Sequence, residues 1–194
     1  MALTREDLWS LEQYAEERDS FRAQVIEHKK NRQVYLGPHA TLYFEDALTM
    51  KYQIQEMLRV EKIFTRDEIQ EELDAYNPLI PDGSNWKATF MIEYPDVDER
   101  AQALARMPGV EHKVWIQIGD DDKIYAIANE DLERSTDEKA AAVHFMRFEL
   151  TTQANKALQE GARLAMGIDH PELPYAVEVP ENVKQSLSGD LNAA

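Results

Sequence analysis

Residues 50–94, MKYQIQEMLRVEKIFTRDEIQEELDAYNPLIPDGSNWKATFMIEY, decide how this chain folds. Met50, Ile54, Met57, Leu58 and Val60 recur at helical spacing and predict one apolar stripe. Tyr52, Glu56, Arg59 and Ile63 occupy an adjoining face, where Glu56 and Arg59 can pair three residues apart. Thr65 and Glu68 predict a capping box that opens a second helix, with Ile69, Leu73 and Tyr76 as its buried stripe. Asn77-Pro78 ends that helix, because proline disfavours helical conformation in the residue before it. Pro81-Asp82-Gly83 supplies turn chemistry and sends the chain into a strand.

Upstream, Thr4 is expected to cap a first helix, with Leu3 and Leu8 as a hydrophobic staple, and a second helix is expected over 20–31. QVYLGPHATLYFED then reads as two short strands broken at Gly37-Pro38, with Asp46 as the cap of the helix that follows. Downstream, Asp96 and Glu99 mark another helix start, and Pro108-Gly109 its end. HKVWIQIG and KIYAIA read as a hairpin across Gly119-Asp120-Asp121-Asp122. ERSTDEKA is a charged loop, and VHFMRFEL a strand. A helix capped at Thr151 or Thr152 is expected to reach Met166, with Gly167 just past its end. The expected class is α+β, a mainly antiparallel sheet of about five to six strands packed with helices. Residues 1–168 read as a single α+β domain. Residues 169–194 read as a C-terminal extension packing on it, with a short edge strand near 176–179, a weak helix and a frayed tail.

Composition narrows the function. The formal charge is −16, which repels phosphate backbones and anionic membranes, so neither nucleic acid nor membrane is an expected partner. The absence of cysteine removes disulfides, thiol catalysis, iron–sulfur ligation and thiolate zinc sites. MALTREDLWS has neither a basic n-region nor an apolar h-region, so a reducing cytosol is the expected compartment. The sequence contains no phosphate-binding glycine loop, nucleophile elbow or HExxH zinc motif. Nor does any Glu stand three residues before a histidine in the manner of di-iron helices. No cofactor and no metal ligand set are therefore assigned, and Asp120-Asp121-Asp122 reads as a solvated hairpin tip.

The positive candidate is a sheet face. Strand alternation sends Ala40, Leu42, Phe44, Phe90, Ile92, Val114, Ile116, Met146 and Phe148 to the core. It turns His39, Tyr43, Glu45, Glu93, Trp115, Arg147 and Glu149 the other way. If all the strands share one sheet, Glu45, Glu93 and Arg147 could project together between Tyr43, Trp115 and Phe145, the mixture of a ligand or partner surface. The simpler reading leaves the glutamates in water at strand ends. His144 begins its strand on the apolar side, where a hydrogen-bonded core histidine is the ordinary case, and His39 follows a turn that can deliver it into a site. The candidate ligand-binding residues are therefore His39, Tyr43, Glu45, Glu56, Arg59, Glu93, Trp115, His144 and Arg147.

YQIQEMLRVEKI, EELDAYNPLIPDGSNWKATFMIEYPD and VHFMRFEL resemble a bacterial family catalogued as domain of unknown function 3501, and the similarity runs from LTREDLWSLEQY through the C-terminal half. The family carries no assigned activity, so the resemblance implies no catalytic roles. Its members are often encoded beside rubrerythrin-like proteins and iron–sulfur oxidoreductases. That setting implies an accessory or interaction protein of a cytosolic redox or oxidative-stress system, with a protein partner there and a homo-oligomer left open. The alternative is a small-molecule- or metal-binding enzyme using the polar and aromatic sheet face.

Overall fold

The structure, a computed structural model, describes residues 2–130, 132, 134–136 and 139–192. Parts of the charged loop and of the expected frayed tail, Ala193 and Ala194 included, lie outside the described residues. The chain is α+β with antiparallel strand pairing throughout its two sheets.

Thr4 closes a single 3-10 turn, Arg5–Asp7, in which its backbone N–H donates to the Asp7 carboxylate at 2.7 Å. The two expected N-terminal helices are replaced by one, α1 (Leu11–Lys29), capped by the Ser10 hydroxyl at the Gln13 N–H. Tyr14 and Arg18 hold its first half to the helix that carries Glu56, and the charged residues in its middle are themselves good helix formers. Strands β1 (Gln33–Tyr35) and β2 (Ala40–Glu45) flank the Gly37-Pro38 turn. Gly37 there has φ +86° and lies under the Tyr175 ring, 2.5 Å from where a Cβ would stand, so both backbone and space require glycine.

Asp46 caps α2 (Ala47–Glu61) by accepting from the Thr49 N–H. Helix α3 (Arg66–Tyr76) follows, although the Thr65 hydroxyl donates to the Glu68 carboxylate instead of capping the backbone. Then come β3 (Asn85–Ile92), α4 (Val97–Ala105) capped by Asp96, β4 (Val114–Ile118), β5 (Ile124–Tyr125), β6 (Ile127–Ala128) and β7 (Val143–Glu149). Thr151 caps α5, but this helix is Thr152–Gln159 and stops well short of Met166. Gly161 at φ +95° turns the chain, and Leu164, Met166 and Ile168 alternate inward on β8 (Leu164–Ile168). Gly167 is thus a strand residue pressed against the Trp115 ring rather than a helix terminator. β9 (Ala176–Glu178) and α6 (Glu181–Ser188) complete the described chain.

The expected single sheet is two. One runs β1-β2-β3-β7-β6, the other β5-β4-β8-β9. The hairpin across Asp120-Asp121-Asp122 forms, pairing Trp115 with Tyr125 and Ile116 with Ile124. Its return strand then crosses over at buried Ala126, so that Ile127 and Ala128 pair with β7 in the other sheet. Alternation could not separate these cases, because each sheet also has one buried face.

The inner faces meet in one core. Leu42, Phe44, Trp86, Phe90 and Phe148 come from the first sheet, and Ile116, Ile118, Leu164 and Met166 from the second. At about 1.5–3 kcal/mol for each large apolar side chain fully buried, this is the main source of stability. Val183, Leu187 and Leu191 from the C-terminal segment belong to that core, and the Trp86 indole N–H donates to the Leu187 carbonyl at 2.9 Å. The helices α1–α3 build two smaller cores of their own, one around Tyr14, Phe21 and Val25, the other around Ile54, Leu58 and Leu73.

Candidate functional site

The outer face of the five-stranded sheet is laid out in rungs. Glu45, Lys87 and Arg147 form one, Tyr43, Thr89 and Phe145 the next, and Thr41, Met91 and Val143 a third. His39 and Glu93 stand beyond them, joined by a Glu93 N–H to His39 carbonyl bond of 2.8 Å. Lys87, opposite Glu45, is six residues from Glu93, about 20 Å along a strand at ~3.3 Å per residue. Glu45, Glu93 and Arg147 share a face but do not meet. Trp115 is on the other sheet, Glu56 and Arg59 are on α2, and His144 lies on the inner face.

Most of these groups already have partners within the chain. Glu45 is 7% exposed and accepts from the Thr49 and Thr89 hydroxyls, each at 2.7 Å. Arg147 grips both carboxylate oxygens of Glu130 at 2.9 and 2.8 Å and reaches Glu149 at 2.5 Å, and the Glu130 bonds raise its pKa. Glu56 pairs with Arg59 at 3.1 Å, as its spacing predicts, but Arg18 binds it more fully at 2.8 and 3.0 Å and the Tyr14 hydroxyl at 2.6 Å. Arg18 first, with help from Tyr14 and Arg59, pulls the Glu56 pKa down to about 2. The Trp115 indole donates to Asp169 at 3.0 Å, while Lys123 lies 4.1 Å over the ring and binds the same carboxylate.

His144 is fully buried. Its Nε2–H donates to the Ala141 carbonyl at 3.0 Å, and Nδ1 lies 3.2 Å from the carboxamide of Asn129, a residue at φ +57°. Burial pushes its pKa down, against the pull of Glu111. Glu111 is itself buried, and among the described residues its Oε2 has no hydrogen-bond partner. A histidine whose folded pKa lies below its unfolded value binds fewer protons when folded. The stability it contributes is present above about 6.5 and is lost as pH falls from there through the lower folded pKa. Urea melts from pH 7.5 to 5 should show this decline, and His144→Gln should flatten it; an unchanged slope in the variant would contradict the assignment.

His39 and Glu93 are the pair left facing open space. They line an open groove of ≈ 670 Å³ with Pro38, Met91, Tyr94, Val143 and Arg100 of α4. The His39 ring stacks on Tyr94 with centroids 3.9 Å apart and planes 11° apart. Its Nδ1 faces the Glu93 carbonyl at 3.0 Å and must donate there, so that in the neutral tautomer Nε2 is the acceptor. The Glu93 carboxylate takes the Thr41 hydroxyl at 3.2 Å, and Arg100 donates to the Tyr94 carbonyl at 3.4 Å. An apolar wall with a few fixed polar groups is the composition of a binding surface.

A family model described as "Protein of unknown function (DUF3501)" matches residues 2–191. The chain belongs to the DUF3501 family. It is also similar to a solved structure, a "novel protein of unknown function" from Burkholderia pseudomallei K96243. The two share 52% identity and a TM-score of 0.94, over 99% of this chain and 100% of that one. No curated protein matches.

Four residues whose surroundings the structure reveals carry no signal in the sequence. Arg100 reads as part of a solvated helix, Lys87 as a strand lysine in water, and Glu111 as a residue in a surface turn. Arg32 reads as a complement to the dipole at the end of α1, yet it is 2% exposed. Among the described residues no helix is long and apolar enough to cross a membrane, and no cluster of three His, Asp or Glu side chains is placed to hold a metal ion.

Proposed function

We propose that the chain is an accessory protein of a bacterial cytosolic redox or oxidative-stress system, and that it works by binding a protein partner through the His39–Glu93 groove. The observation that carries this reading is the contrast between that groove and the other candidate residues. Glu45, Glu56 and Arg147 are engaged internally, whereas His39 and Glu93 stand in a wide groove with a Met and proline wall. Methionine, aromatic and arginine side chains around a few oriented polar groups suit a protein contact. The redox setting rests on the resemblance to a family whose members are often encoded beside rubrerythrin-like proteins and iron–sulfur oxidoreductases.

One observation favours the enzyme reading instead. His39 has its tautomer fixed by the Glu93 carbonyl, and an oriented Nε2 acceptor is what a general base requires. An enclosed site would strengthen that case, and the groove is open.

Co-expression with iron–sulfur oxidoreductase and rubrerythrin-like proteins of the same organism, followed by size-exclusion chromatography, tests the binding reading. The wild-type chain should co-elute with one of them. The double variant His39→Ala, Glu93→Arg should lose about tenfold or more in affinity, ~1.4 kcal/mol. Equal co-elution of the variant, or none by the wild type, would refute it.

A further inference from the structure

We propose that Lys87 is a reactive amine, held in a small pocket on the outer sheet face, that condenses with aldehyde-bearing small molecules to form an imine. The pocket, of ≈ 270 Å³, is walled by Pro78 and Leu79 beyond α3 and by Phe145 of β7, and Lys87, Glu130 and Arg147 line the rest.

The position of Lys87 is unusual for a lysine on an acidic protein. It is half-buried at the centre of the rung between Glu45 and Arg147. Cross-strand neighbours bring their Cβ atoms within about 5 Å, so the ammonium shares its space with a guanidinium. The carboxylates that would normally pair with it are occupied. Glu45 is held by the two threonine hydroxyls, and Glu130 and Glu149 are held by Arg147. Among the described residues the Lys87 ammonium has no hydrogen bond or ion pair, whereas those of Lys30, Lys123, Lys156 and Lys184 each meet a carboxylate.

An amine becomes a nucleophile at neutral pH when apolar surroundings and a neighbouring cation both disfavour its charged form. Both conditions hold at Lys87. Burial, then Arg147, push its pKa down against the pull of Glu130, Asp82 and Glu149. The same carboxylates argue against an anion as the ligand, since it would approach two negative groups already bound to Arg147. A neutral carbonyl compound meets no such barrier.

The step balances without an oxidant or reductant. The ammonium gives one proton to solvent, and the freed Nζ pair bonds to the carbonyl carbon while the C–O π pair moves to oxygen, which takes a proton as the nitrogen gives one up. The hydroxyl of the resulting carbinolamine takes a second proton and leaves as water, and the nitrogen pair closes the C=N bond as the last N–H proton leaves. One aldehyde is bound and one water released.

The test uses the full chain with propanal and cyanoborohydride at pH 7, the adducts being located by peptide mass spectrometry. Lys87 should be trapped several-fold faster than any other described lysine. In Arg147→Gln, Glu130 and Glu149 are released and become free to pair with Lys87, so trapping there should slow to the rate of the surface lysines. Unfolded wild type in urea should show no preference. Labelling of Lys87 in the folded chain at or below the rate of exposed Lys62 or Lys139 would overturn the proposal.

Discussion

Arg32→Ala is expected to lower the unfolding free energy by about 3–5 kcal/mol, the cost of leaving buried charges unpaired. The guanidinium sits at 2% exposure between three parts of the chain that are far apart in sequence. Its Nε donates to the Phe44 carbonyl at 3.1 Å and lies 3.3 Å from Asp46, the cap of α2. Nη2 donates to the Glu45 carbonyl at 3.1 Å and to Asp190 at 2.5 Å, and Nη1 reaches Asp190 at 3.2 Å and the Ser186 hydroxyl at 3.3 Å. Burial raises the Asp190 pKa, and the arginine opposes that rise. Removing Arg32 strands Asp190 and two backbone carbonyls at once. Lysine should not rescue it, because a point charge cannot reproduce the planar fork. Arg106→Ala, which loses only the exposed pair with Glu172, should leave the urea midpoint essentially where it is in the wild type. Urea denaturation of the three variants decides the matter. A loss below about 1 kcal/mol in Arg32→Ala would mean that the hub does not hold the C-terminal segment in place.

The second large effect concerns acid. Glu56 ties α1 to α2, and its pKa falls from 4.5 to about 2 on folding, chiefly through Arg18. A carboxyl with a depressed folded pKa stabilises the fold above its unfolded value. That stabilisation drains away as pH falls from 4.5 towards about 2. With Arg18 partly exposed, solvent screening leaves about 2 kcal/mol of it at neutral pH. Glu56→Gln should therefore be less stable than wild type by that amount at pH 7, and the two curves should converge on acidification. Parallel curves from pH 7 to 2.5 would show that the ion pair contributes nothing specific to folding.

Local chemistry was legible in the sequence. Asp46, Asp96 and Thr151 cap the helices they were expected to cap, because a side-chain oxygen two or three residues before free N–H groups needs no tertiary partner. Alternation likewise assigned the inner and outer faces of β2, β3 and β7, with His144 inward and His39, Glu45, Glu93 and Arg147 outward. What sequence spacing cannot carry is distance along a rung or membership of a sheet. Glu45 and Glu93 share a face and still stand far apart, and Trp115 obeys the same alternation on a different sheet. Nor can it carry contacts across the chain. Arg32 finds Asp190 158 residues away, and at that range a buried hub and a solvated arginine look alike. Lys87 carries no sequence signal for a related reason. Its interest lies in the partners its neighbours have already taken, which only the packed structure shows.

The proposed protein partner docks at the His39 groove. Backbone amide shift mapping of the isotope-labelled full chain, titrated with a rubrerythrin-like protein or an iron–sulfur oxidoreductase of the same organism, tests this most directly. The expected shifts cluster at His39, Met91, Glu93, Tyr94 and Arg100 and vanish in the His39→Ala, Glu93→Arg chain. Shifts confined to α1–α3 or to the second sheet, or none at saturating partner, would contradict it.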